Sequence, residues 1–277
     1  MNTLSERVAQ RAEAASTSAT GIPVKPARPS STSDLIRAMA PEIKKALPSV
    51  MTPERFTRIA LSAVKNTPKL AECTPISFLA ALMNAAQLGL EPNTPLGQAY
   101  LIPYKNRGQM EVQFQIGYKG LLDLAFRNER MQSIEAHTVY EGDEFSFEYG
   151  LNPVLRHIPT WHDRGQMVGF YAVFHLDNGG YQFEVMSKPD IDNYAAKYSK
   201  AFASDYSPWK TNYESMALKT VLKRLLKTAP IQSDFRKAMS MDESIKADIA
   251  VDMSEVKNEE VEYPAVEQAA VLTDSAA

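Results

Sequence analysis

The chain has 277 residues, 44% hydrophobic and 23% charged, which is enough for one large domain or two small ones with a substantial core. No apolar run approaches ~18 residues, and Met1 to Gln10 lack the basic-then-apolar layout of a secretion signal, so neither a spanning helix nor export is expected. A single cysteine, Cys73, rules out an intrachain disulfide and points to a reducing, cytoplasmic setting without membrane partners. The net charge of −3 hides an asymmetry. Residues 242 to 277 carry ten acids against two lysines (−8), the first 33 residues stand at +2, and the span between them at +3.

Residues 1–33 are rich in Ala, Ser, Thr and Pro, and read as a disordered N-terminal arm. Asp34 to Leu47 reads as a helix capped by Ser33. Thr52-Pro53 and Thr74-Pro75 each place a capping hydroxyl before a proline at the first helical position, and Gly89 follows the helix from Pro75 to Leu88. After Pro95 the period changes to two. Gln98–Tyr104 and Glu111–Gly117 read as paired strands around a tip, Lys105 to Gln109. A short helix from Tyr118 through Arg127 follows. Ile134–Tyr140, Glu144–Tyr149, Met167–Leu176 and Tyr181–Met186 then read as strands, the last two joined by the turn Asn178-Gly179-Gly180. Ser187 and Asp190 resemble a capping box for a helix ending at Tyr198, and Ser199 to Ser207 form a loop.

Pro208 to Lys227 reads as one two-sided helix. Leu218, Val221, Leu222, Leu225 and Leu226 share a core-facing arc. Lys219, Lys223, Arg224 and Lys227 take the opposite arc, with Trp209, Tyr213 and Met216 on that basic side. Taken alone, such a face is more often merely solvated. Beyond Met241 the acid-rich segment, residues 242–277, reads as a flexible tail, which leaves 34–241 as the folded body. Helices, then antiparallel strands, then helices argue for an α+β fold.

Catalytic signatures are lacking. Neither G-x-x-x-x-G-K-[ST] nor G-x-G-x-x-G occurs, and His137, His157, His162 and His175 do not fall in H-E-x-x-H spacing. Asp143, Glu144 and Glu148 are the densest strand-associated acids, but their alternation suits a half-exposed strand better than a metal-dependent nuclease. A protein that is not an enzyme is expected.

Several blocks nevertheless resemble one family in order. Leu88-Gly89-Leu90-Glu91-Pro92, Leu96 through Tyr104, Gly117 through Ala125, Glu141 through Glu148, Gln182 through Met186, Pro208-Trp209-Lys210, and Met216-Ala217 with Lys219-Thr220 are similar to the RecT family of phage-type single-strand annealing proteins. The resemblance covers about Met51 to Met241. It implies ATP-independent binding of single-stranded DNA and annealing of complementary strands in phage or prophage recombination. It also implies homo-oligomeric rings or helical filaments, a 5′-to-3′ exonuclease partner, and a core similar to the β-β-β-α unit of Rad52-type annealing proteins. No resident cofactor is implied, and assistance by Mg²⁺ is left open.

Such an activity needs cations on phosphates, to offset strand repulsion, and bases left free to pair. The candidate phosphate partners are Lys105, Arg107, Lys119, Arg127, Lys197, Lys200, Lys210, Lys219, Lys223, Arg224 and Lys227. Lys119 and Lys219 rank first, because each stands inside a family block. Tyr104, Tyr118, Phe202, Trp209 and Tyr213 are the candidates for stacking or wedging. The tail is expected to solubilise, to compete with DNA for the basic groove, or to recruit the exonuclease or a host single-strand-binding protein. The alternatives are a passive single-strand coat protein, a divalent-metal nuclease around Asp143, Glu144 and Glu148, or an adaptor without a DNA role.

Overall fold

Local signals set most of the elements. Helix α1 (Thr32–Ala46) begins at Ser31 rather than Ser33, whose place is already helical; the Ser31 hydroxyl accepts the Asp34 N–H at 3.2 Å. The two threonine-proline starts open α2 (Pro53–Asn66) and α3 (Pro75–Leu88), with a 3₁₀ turn, Pro68–Glu72, between them. Gly89 ends α3 in the left-handed region (φ 58°), where a side chain would strain the backbone. Helix α3 is buried almost all round. Its Ser77 hydroxyl accepts the Val112 N–H at 3.0 Å and so ties the helix to the neighbouring hairpin.

The structure, a computed structural model, describes residues 31–199, 202, 207–230 and 233–259, with the backbone alone for 233–236. Residues 1–30 of the expected arm (1–33), most of the loop 199–207, Lys200 and residues 260–277 lie outside the described residues, and Thr32 and Ser33 belong to α1.

Strands β1 (Ala99–Asn106) and β2 (Gln109–Ile116) pair antiparallel, in register from Ala99–Ile116 to Asn106–Gln109. Their turn is Arg107-Gly108 alone, both at positive φ (46° and 83°), which is shorter than the expected tip. Helix α4 (Tyr118–Phe126) follows. Strands β3 (Met131–Tyr140), β6 (Met167–Leu176) and β7 (Tyr181–Ser187) form an antiparallel sheet in the order β3-β6-β7. Strands β4 (Glu144–Glu148) and β5 (Val154–Ile158) form a separate hairpin. Its aromatic side chains lie on that sheet: Phe145 stacks on Tyr171 at 5.6 Å and Tyr149 on Phe183 at 5.1 Å. The α+β class with antiparallel sheets is therefore observed.

Ser187 and Asp190 close a reciprocal capping box at the start of α5 (Lys188–Tyr198). The expected single basic helix is two: α6 (Pro208–Thr211) and α7 (Tyr213–Leu226), broken at Asn212 (φ −142°). Val221, Leu222 and Leu225 of α7 are buried with Phe170, Ala172 and Phe174 of β6 in the core. At about 1.5–3 kcal/mol for each large apolar side chain buried, this layer is a major part of the fold's stability.

Helix α8 (Ser233–Met241) leads into a segment that overturns an expectation. Residues 242–259 are not a loose tail. Ser244 exchanges backbone hydrogen bonds with Phe114 of β2 (2.9 and 3.2 Å), and the Gln87 side chain bonds Val251 O and Met253 N. Ile245, Ile249 and Met253 are buried. Three apolar anchors among the acids suffice to dock the segment, although its average composition looks disordered. Among the described residues no helix is long and apolar enough to cross a membrane.

Candidate nucleic-acid interface

Two adjoining hollows, of about 330 and 420 Å³, run between the β1–β2 hairpin and the α5–α7 side of the molecule. They share Ile102, Gln115, Pro208, Met216 and Lys219, and so form one groove. One end carries Tyr100, Tyr118 and Lys119; the other carries Tyr104, Tyr194, Tyr198 and Lys223. Two glycines build the first end. A Cβ at Gly117 would stand 2.1 Å from the Gly97 carbonyl oxygen, and one at Gly120 would stand 2.1 Å from that of Gln98. Only bare backbone lets α4 press this closely on the start of β1, and that approach presents Tyr118 and the exposed Lys119 to the groove.

The far wall departs from the expected open basic face. Lys219 is buried, its side chain 3% exposed, and Lys223 is 20% exposed. Asp242, wholly buried, takes Lys219 Nζ at 3.0 Å, Lys223 Nζ at 2.8 Å and the Ile116 N–H at 2.7 Å. Glu243, 48% exposed, meets Lys219 at 2.9 Å and Lys223 at 3.6 Å. Burial alone would raise the Asp242 pKa; Lys219 and Lys223 outweigh it and hold the carboxyl below its usual range. Burial likewise works against the Lys223 ammonium, but Asp242 and Glu243 prevail and its pKa is raised. The helical wheel put these lysines on an open arc; the structure buries Lys219, and the acids that cover the pair come from 19 to 24 residues further along the chain.

The model of the RecT family matches residues 54–262. The chain belongs to the RecT family. It is 42% identical over 210 residues to Protein RecT of Escherichia coli K12, covering 74% of this chain and 77% of that protein. It is also 31% identical over 214 residues to the uncharacterized protein YqaK of Bacillus subtilis 168, covering 74% and 71%. The family match passes Met241 and takes in the whole docked segment 242–259.

Within this RecT-family chain the candidates separate by position. Lys105 and Arg107 are exposed at the hairpin end, and Lys210 is exposed on α6. Lys197, Arg224 and Lys227 line a second cleft of about 760 Å³, which adjoins the groove at Tyr194 and Tyr198. There the Lys197 ammonium lies 5.3 Å over the Tyr198 ring, and Arg224 pairs with Glu184 at 2.7 Å. Arg127 is turned elsewhere: its guanidinium bonds Leu88 O, Gly89 O and Asp123, and so closes the end of α3.

The aromatic candidates also divide. Tyr104 and Tyr118 line the groove. Trp209 does too, but it is only 6% exposed and its ring packs edge-on against Phe202 and Tyr213, which makes it a wall and not an open platform. The Tyr213 hydroxyl donates to Asp192 at 2.6 Å; burial first and that carboxylate second raise its pKa. Sequence reasoning missed Tyr100, Tyr194, Tyr198 and Glu243. The alternation of exposed Tyr100 with buried Leu101, and the i,i+4 spacing of Tyr194 and Tyr198, were the available signals.

The acids weighed as a nuclease centre are tied into the fold. The Asp143 carboxylate, fully enclosed, takes Arg164, His157 and the N–H groups of Tyr140 and Thr160. Arg164 above all holds its pKa well below the usual range, against the effect of burial. Glu144 pairs with Arg156 at 2.6 Å.

Proposed function

We propose that the protein binds single-stranded DNA along this groove and anneals complementary strands without ATP. The observation that carries the reading is the groove itself: a hollow walled by tyrosines, with Lys119 at one end and Lys223 at the other, in a RecT-family chain. Tyrosine faces offer stacking worth ~1–3 kcal/mol per base, and cations offset the repulsion between two phosphate lines. Gripping the backbone leaves base edges open to a complement. Lys105, Arg107 and Lys210 extend the grip from the rim, and Lys197, Arg224 and Lys227 extend it into the second cleft.

The reading includes assembly into rings or helical filaments, a 5′-to-3′ exonuclease partner, an intracellular location, and no catalytic step. Recruitment of a host single-strand-binding protein falls to the acidic stretch 260–277, and Mg²⁺ acts, where it assists, without a resident site. The β3-β6-β7 sheet followed by α5 supports likeness to the β-β-β-α unit of Rad52-type proteins.

The test adds two complementary oligonucleotides in succession, without nucleotide, and follows duplex formation. Faster hybridisation than in buffer is expected. Binding that slows hybridisation would make the protein a passive coat.

A further inference from the structure

Lys219 and Lys223 carry two positive charges, and Asp242 and Glu243 cancel them. As it stands, this wall of the groove is electrically neutral and attracts no phosphate. The two acids are not equivalent. The Asp242 carboxylate has no exposed surface and takes the Ile116 N–H, so it cannot leave without unpairing a buried amide. Glu243 is half exposed, lines the groove, and leans on the lysines from the solvent side.

Its backbone is also held in an uncommon state. Glu243 has φ +58°, in the left-handed region that non-glycine residues seldom adopt. The surroundings fix it there: Asp242 is anchored to Ile116, Ser244 is paired with Phe114, and the Gln113 amide donates to the Glu243 carbonyl at 3.3 Å. A strained residue clamped on both sides thus aims one carboxylate at two ammonium groups inside a groove.

We infer that the Glu243 carboxylate occupies the position of a backbone phosphate, and that a bound strand displaces it while Asp242 keeps both lysines in place. The inference rests on the groove reading above. Swinging Glu243 out leaves one net positive charge on the wall, so the lysine pair takes one phosphate, not two. Glu243 then acts as an internal competitor that every incoming strand must replace, and it sets affinity without touching a base.

The test measures binding of oligo-dT by fluorescence anisotropy at a series of salt concentrations. Glu243→Gln removes the competitor but leaves the bound state alone, so binding tightens about 2- to 5-fold with the salt slope unchanged. Glu243→Gly, which suits the left-handed backbone and removes the same charge, gives the same gain and guards against an effect peculiar to glutamine. Lys223→Met keeps the buried stem and lowers the slope by about 0.7, the share of one phosphate contact on a single strand. Unchanged affinity in both Glu243 variants overturns the inference and leaves the groove reading standing; an unchanged slope in Lys223→Met overturns it and also removes Lys223 from the groove's phosphate partners. If the unaltered protein binds no oligo-dT, the groove reading itself falls and takes this inference with it.

Discussion

Two buried carboxylates in this protein are built alike and do different work. Asp143 and Asp242 each lie out of solvent, each takes two cationic or imidazole side chains and backbone N–H, and each has its pKa lowered. Around Asp143 the set is closed. Arg164 also lies over the Tyr140 ring at 4.1 Å, and His157 reaches on to Tyr171, so the cluster fastens the β4–β5 hairpin to the sheet. Around Asp242 the balance takes a second acid, because two lysines face one buried carboxylate and Glu243 supplies the other charge from the solvent side. A buried carboxylate with its charges balanced is a rivet; the same carboxylate beside a displaceable rival becomes the back wall of a site.

Removing each aspartate separates the two cases. Asp242→Ala leaves Lys219 almost enclosed, with only half-exposed Glu243 as its partner, and is expected to cost about 3–5 kcal/mol in denaturant unfolding. Asp143→Ala costs less, about 2–3 kcal/mol, because Arg164 is a third exposed and can rehydrate. Its signature is local: amide exchange in Glu144–Glu148 and Val154–Ile158 accelerates while α7 stays protected. Equal losses with uniform exchange in both variants would erase the distinction.

Acid provides a gentler probe. Both aspartates have folded pKa values below the unfolded value of about 3.9, so the unfolded chain binds the proton first as pH falls. Their stabilisation is complete above about pH 5, begins to fade near the unfolded pKa and is lost only as pH falls through the lowered folded values. Asp252, pulled down to about 2 chiefly by Lys237 and Ser254, contributes fully above about pH 4 and loses that contribution as pH falls to about 2. Stability measured against pH in the Asp242→Asn variant is therefore flatter in acid than in the parent chain.

What the sequence disclosed follows the range of the forces involved. Caps, turns and glycine stops are local, and Thr52-Pro53, Ser187 with Asp190, Gly89 and Asn178-Gly179-Gly180 all mark real boundaries. Strand β5 escaped notice because Val154 to Ile158 is short, hemmed by Pro153 and Pro159, and exposed on alternate residues without a clear apolar face. The break at Asn212 is invisible to a helical wheel, which assumes the continuity it is used to test. The groove was half legible. Lys119 stood out because it sits in a family block, although the reason for the glycines on either side of Tyr118-Lys119, the carbonyls of Gly97 and Gln98, is a contact across the fold. The pairing of Lys219 with Asp242 spans 23 residues, and no periodicity reports it.

The smallest expected effect contrasts the groove's open end with its occupied one. Lys119 is exposed, so Lys119→Ala should change unfolding free energy by no more than about 0.5 kcal/mol. On single-stranded DNA the same change removes one phosphate partner, which weakens oligo-dT binding about 2- to 5-fold at low salt and lowers the slope by about 0.7. Arg127→Ala is the matched control, because that guanidinium closes α3: it should lower stability and leave the slope alone. A fall in slope for Arg127→Ala, with none for Lys119→Ala, would move the strand's path away from the groove and toward the α3–α4 corner.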